Sequence, residues 1–115
     1  MYMSPEAMKG KYTAAGDIWS LGVSMFFLFT AEYPFVANSF DQLKYEVIKG
    51  KFKMPKFLSK ECQDLLSKML DVNPKRRLTA AQVMSHKWIK SQRKIDISKK
   101  QNSLGTTLKC LGKLK

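Results

Sequence analysis

The chain has 115 residues, of which 44% are apolar and 26% charged, and a formal net charge of +12 at pH 7. That length suits one domain with a core of its own and is short for two. There is no stretch with the basic start, apolar middle and small-residue cleavage site of a secretory signal. The longest uncharged apolar run, residues 18–31, falls short of the roughly 20 residues needed to cross a bilayer. Cys62 and Cys110 lie far apart, without metal-ligand or disulfide-framework spacing, so cytosol or nucleus is expected and a metal site is not.

Charge is uneven along the chain. Residues 1–90 carry 14 Lys and Arg against 8 Asp and Glu, whereas residues 91–115 carry 7 against Asp96 alone. A basic end of this kind attracts acidic partners without specificity and is as often a plain solvated terminus.

In chain order, the first feature is Tyr2-Met3-Ser4-Pro5-Glu6. Residues 17–31 follow, with Ile18, Trp19, Leu21, Val23, Met25, Phe26, Phe27, Leu28 and Phe29 apolar on nearly all sides of a helix. A helix of that kind has to be surrounded by protein, and Gly22 with Ser20 and Ser24 suits close helix packing. The Glu32-Tyr33-Pro34-Phe35 stretch interrupts it.

Three later helices are announced by a hydroxyl residue that can accept a hydrogen bond from first-turn amides. Ser39 with Gln42 and Thr79 with Gln82 both have capping-box spacing. Phe40, Leu43, Val47 and Ile48 then keep a helical period up to Gly50, and Cys62, Leu65, Leu66, Met69 and Leu70 keep one after Ser59. The helix from Thr79 is short, reaching about Ser85. Pro55 and Asn73-Pro74 break the intervening segments, no β-alternation persists, and after Lys90 the pattern fades into a Lys, Ser and Asn-rich stretch expected to be poorly ordered. The expected fold is mainly α, built around a buried central helix, with residues 1–90 folded and residues 91–115 a basic, flexible tail.

Ser4-Pro5-Glu6, the string Asp17-Ile18-Trp19-Ser20-Leu21-Gly22-Val23, Pro34-Phe35, Asn73-Pro74 with Arg77, and His86-Lys87-Trp88 occur in an order that resembles the C-terminal lobe of a eukaryotic protein kinase domain. Ser-Pro-Glu alone is weak; the Asp17 to Val23 string is far more specific. The form of Tyr2 and of that string resembles the serine/threonine class. Gly50-Lys51-Phe52-Lys53-Met54-Pro55 with Leu58-Ser59 looks most like its calcium/calmodulin-dependent and AMP-activated branch. Lys87 and Asn73 depart from the commoner Pro and Asp.

The resemblance implies a largely buried pair between Glu6 and Arg77, anchoring the substrate-binding segment to the helical base, with Arg76 an adjacent competitor. Such a pair depends on its geometry, and a planar guanidinium suits a carboxylate. It further implies that Trp19 packs beside the pair, that Gly22 belongs to the central helix, and that Tyr2 and Met3 line the pocket for the residue after the phosphoacceptor. Asp17 would hold the catalytic loop, or, in this chain, simply favour the start of its helix.

Kinase chemistry needs a glycine-rich cover, a phosphate lysine, a catalytic loop and a metal-binding Asp. None of these strings occurs in the 115 residues, so no catalytic residue is assigned, and ATP and magnesium are expected only for a complete parent domain. His86, the one histidine, reads as a packing residue. Expected partners are protein substrates of the parent, and an N-terminal kinase half or another protein over the apolar face of the central helix.

Two rival readings remain on the residues. One is a non-catalytic, protein-binding module of the same fold. The other places function in the tail, where Leu104, Leu108 and Leu111 have helical spacing among lysines, a weak likeness to a calmodulin- or membrane-surface segment. Gly105, Gly112 and Thr106-Thr107 count against that helix. Nucleic-acid binding has only net charge behind it and is not expected.

Overall fold

The computed structural model describes residues 2–96, and among these residues six α-helices follow one another: α1 (Pro5–Met8), α2 (Ala14–Thr30), α3 (Phe40–Lys49), α4 (Lys60–Met69), α5 (Ala80–Met84) and α6 (Lys87–Asp96). No strand occurs among the described residues. α2 packs on α4, α4 on α6, α5 on α6, and α1 on α3.

The hydroxyl residues start the helices as expected. Ser39 Oγ accepts from the Gln42 amide at 3.2 Å, Ser59 Oγ from the Cys62 amide at 3.2 Å, and Thr79 Oγ1 from the Gln82 amide at 3.2 Å. Only Thr79 has the full reciprocal box, its amide donating to Gln82 Oε1 at 2.9 Å. Gly50 closes α3 at φ 72°, where a side chain would be strained and a Cβ would overlap Val72. α1 has no apolar period to announce it. Ser4 Oγ accepts from the Ala7 amide at 3.2 Å, and Pro5 supplies a preset φ at the first helical position.

α2 differs from expectation in where it starts. It begins at Ala14, three residues before Asp17, because Thr13 is extended and the small Ala14-Ala15-Gly16 run extends the helix upstream. Within this chain it is covered on one face: Ile18, Trp19, Gly22, Val23 and Phe26 are buried, whereas Leu21 is 45% and Leu28 78% exposed. The buried stripe follows the spacing of one helix face. Gly22 lets that face approach the end of α4, since a Cβ there would lie 3.1 Å from Met69 Cβ and from Leu70 Cδ2.

Three apolar clusters surround the stripe. Trp19 and Val23 pack with Phe35, Leu43, Val47 and Leu70; Ile18 packs with Leu65, Met69 and Val83; Phe26 packs with Cys62 and Leu66. Phe52 joins the first to the third, meeting Phe35 and Phe26 edge-on, each at 5.8 Å between ring centres. Burial pushes the Cys62 thiol above its ordinary value, which suits a small hydrophobe and not a nucleophile.

The folded pattern also runs further than the periodicity reading. Trp88 and Ile89 pack against the second cluster and carry α6 past Lys90 to Asp96. His86-Lys87-Trp88 is therefore a helix start: His86 Nδ1 accepts from the Trp88 amide at 3.1 Å. The tail residues Leu104, Leu108 and Leu111, with Cys110, lie outside the described residues. No described helix is long and apolar enough to cross a membrane.

Candidate functional site

Residues 2–4 run extended along the first turns of α2 before turning into α1. The Ser20 hydroxyl donates to the Tyr2 carbonyl at 2.7 Å, tying this segment to α2 at one end. The phenolic oxygens of Tyr2 and Tyr33 are 3.2 Å apart, and Tyr33 in turn stacks on Phe27 at 4.7 Å. The hydrogen bond to Tyr33 holds the Tyr2 phenol above its ordinary value. Gly16 makes room for Ser4, whose Oγ would be 3.2 Å from a Cβ at that position.

The other end is held by charge. Arg77 Nη1 donates to Glu6 Oε2 at 2.7 Å and Nη2 to Glu6 Oε1 at 3.0 Å, a two-pronged pair between side chains that are 0% and 9% exposed. Nε donates to the Asp71 carbonyl at 2.9 Å, Nη1 to the Ala15 carbonyl at 2.8 Å, and Nη2 to the Val72 carbonyl at 3.4 Å. All five N–H groups of the guanidinium are thereby used. Burial alone would raise the Glu6 carboxyl; the hydrogen bonds from Arg77, its backbone and Ser4, with the Arg77 charge, outweigh it and hold the group below its ordinary value. Arg76 does not compete. It faces solvent and lies 3.4 Å from Asp71.

Trp19 lies beside the pair, as the resemblance implies, with Phe35 stacked on its ring at 5.6 Å. Its Nε1–H is buried and finds no acceptor among the described residues. Gly22 sits three residues further along α2 and reaches α4 instead of the pair.

Between the anchored segment and α2 lies a cavity of about 390 Å³, bordered by Tyr2, Met3, Ser4, Tyr12, Asp17 and Ser20. Asp17 is exposed there, and its carboxylate has no hydrogen-bond partner among the described residues. The walls are largely apolar, with hydroxyls and one carboxylate as the polar groups, and neither histidine nor lysine faces in. Such a lining can hold a side chain or an N–H donor but supplies no base–nucleophile couple. Among the described residues no three of His, Cys, Asp and Glu come together to hold a metal ion.

His86 is elsewhere. Its Nε2 lies 2.8 Å from Asp64 Oδ2, and with Nδ1 capping α6 both ring nitrogens are engaged in structure. Hydrogen bonds from His86 first and Lys68 second hold the Asp64 carboxyl below its ordinary value. Sequence reasoning missed Tyr33 as a partner of Tyr2 and the backbone carbonyls around Arg77. A carbonyl carries no residue-type signal, and an aromatic 31 positions away has no spacing to betray it.

The family described as Protein kinase domain matches residues 1–89. Serine/threonine-protein kinase SIK2 of Gallus gallus is 37% identical over 92 residues, which cover 78% of this chain and 12% of that protein. Calcium-dependent protein kinase 26 of Oryza sativa subsp. japonica is 40% identical over 94 residues, 77% of this chain and 17% of that protein. Serine/threonine-protein kinase kin-29 of Caenorhabditis briggsae is 36% identical over 110 residues, 94% and 13% respectively. The chain thus spans between about an eighth and a sixth of the length of these relatives.

Proposed function

Because the chain belongs to the serine/threonine protein kinase domain family, we propose that it forms the substrate-side helical part of such a domain and transfers no phosphate by itself. The activity assigned to the whole domain is ATP-dependent phosphorylation of serine or threonine in proteins. The observation that supports this reading best is the anchoring of residues 2–6 at both ends, by Ser20 on the Tyr2 carbonyl and by Arg77 on Glu6. A segment fixed in this way presents Tyr2 and Met3 at the rim of the cavity, preorganised to receive the residue next to a phosphoacceptor, so that little ordering is left to do on binding.

Asp17, with a free carboxylate at that rim, is assigned to backbone amides of the catalytic loop carried by the rest of the domain. ATP and magnesium are assigned to that remainder too. Glu6, the one carboxylate of the anchored segment, is consumed by Arg77. The exposed Leu21 and Leu28 of α2 form the face on which the remainder packs.

The test is phosphate transfer from labelled ATP to serine and threonine peptides. The purified 115-residue chain is expected to give no transfer above the blank, and a longer protein carrying the whole domain is expected to give it. Robust turnover by the 115 residues alone would overturn the proposal.

A further inference from the structure

A second concavity lies away from this site, between the C-terminal end of α2 and the segment leading into α4. It encloses about 440 Å³. Phe26, 4% exposed, and Met54, half-buried, form its floor and belong to the third core cluster, so the floor is fixed by packing. Phe57 stands at the edge, 72% exposed. A large aromatic side chain left in water beside an apolar floor is the arrangement into which a partner's apolar side chain fits.

The rim is basic. Lys53 and Lys56 border the groove, and between Glu46 and Glu61 the chain carries Lys49, Lys51, Lys53, Lys56 and Lys60 with no acid among them. The ion pairs of the described residues all lie elsewhere, so neither Lys53 nor Lys56 has a carboxylate within pairing distance there. The hydroxyl of Thr30, also on the rim, is already engaged: it donates to the Phe26 carbonyl at 2.8 Å and accepts from the Glu32 amide at 3.0 Å. What remains free to recognise a guest is apolar surface and positive charge. Glu32 is the one acidic residue on the rim and excludes acid from its own end.

We propose that this groove docks an extended peptide of another protein in which a large apolar residue is flanked by Asp or Glu. The volume fits one or two large side chains, and the apolar anchor supplies affinity while the flanking acids supply orientation and rate of encounter. A second copy of this chain is a poor occupant. With a net charge of +12 it repels itself, and a concave floor does not suit a flat lipid surface.

Fluorescence anisotropy of the full 115-residue chain with a labelled peptide, one Phe and one Leu between pairs of Glu, tests this. Saturable binding is expected, weakening as salt screens the lysines and falling roughly tenfold in Lys53→Glu/Lys56→Glu. Phe57→Ala is expected to weaken it independently of salt. All three side chains are exposed, and circular dichroism establishes that the variants fold. Equal binding of the peptide with Lys in place of Glu, no saturable binding, or unchanged binding by the double variant overturns the proposal. So does binding to anionic vesicles without binding to the peptide, or a dimer in sedimentation that the double variant abolishes. Failure here leaves the phosphate-transfer test untouched, because the groove shares no residue with the cavity at Tyr2.

Discussion

The guanidinium of Arg77 lies against the face of Trp19, its central carbon 5.1 Å from the ring centroid. Trp19 is fully buried, so this face shields the ion pair with Glu6 from water, and the ring quadrupole adds to the attraction. The arrangement uses planarity twice, once for the stack and once for the paired bonds to the carboxylate. Charge alone would use neither.

Arg77→Lys therefore keeps the charge and loses most of the site. One ammonium offers three donors on a tetrahedral head where five planar ones are taken, leaving carbonyls of Asp71, Ala15 or Val72 unpaired. A loss of about 3 kcal/mol is expected in urea denaturation, near the 3–5 kcal/mol for breaking a buried pair. Arg76→Ala, at a side chain 72% exposed and 3.4 Å from Asp71, is expected to change stability by about 0.5 kcal/mol or less. Equal effects at the two positions would contradict the geometry.

The same pair sets an acid limit. The Glu6 carboxyl is held below its ordinary 4.5 in the folded chain, so on acidification the unfolded chain takes up this proton first. The stability Glu6 contributes is full above about pH 4.5 and is lost as pH falls from there through the lower folded value. Asp64 titrates in the same sense. Melting temperatures from pH 7 to pH 2 are expected to fall more steeply below that limit for the wild type than for Glu6→Gln, which starts lower but lacks this proton. Parallel curves would show that the pair does not carry the acid sensitivity.

The end of α2 offers a stabilising change. Ala31 is the one non-glycine residue with positive φ among the described residues, at 59°, and its amide donates to the Phe27 carbonyl at 2.7 Å. Ala31→Gly removes a left-handed penalty of about 1–2 kcal/mol and gives back about 0.4–1 kcal/mol of unfolded-state entropy, for a net gain of about 0.5–1 kcal/mol. Gly50→Ala, at φ 72° and against Val72, is expected to be destabilising by more than that. Equilibrium unfolding of both variants checks the opposite signs.

Much of this fold was legible because caps and apolar spacing are local. Ser39, Ser59 and Thr79 each stand one residue before a helix, and Gly50 ends one. α1 was not legible, since four residues hold no period and its stability comes from Ser4, Pro5 and the pair that Glu6 makes 71 positions away. The reach of α6 to Asp96 was hidden for a related reason: Trp88 and Ile89 hold it by tertiary packing, and the charged residues after them carry no apolar stripe. The Glu6–Arg77 pair came from motif order, not from either residue. Hydropathy likewise could not say which side of α2 this chain would leave open.

That open side separates two roles within one helix. Val23 is 1% exposed and Leu28 78%, five residues apart on α2 and facing different surroundings. Val23→Ala leaves a void in the first core cluster and is expected to cost about 2 kcal/mol. Leu28→Lys removes no contact of comparable burial, so unfolding midpoints should move by about 0.5 kcal/mol or less. Binding of a hydrophobic dye to the native chain, by contrast, should drop for Leu28→Lys and not for Val23→Ala, because the dye reads exposed apolar area. If Leu28→Lys instead unfolded the chain, that leucine would be packed in solution and α2 would have no free face on which the remainder of a kinase domain could rest.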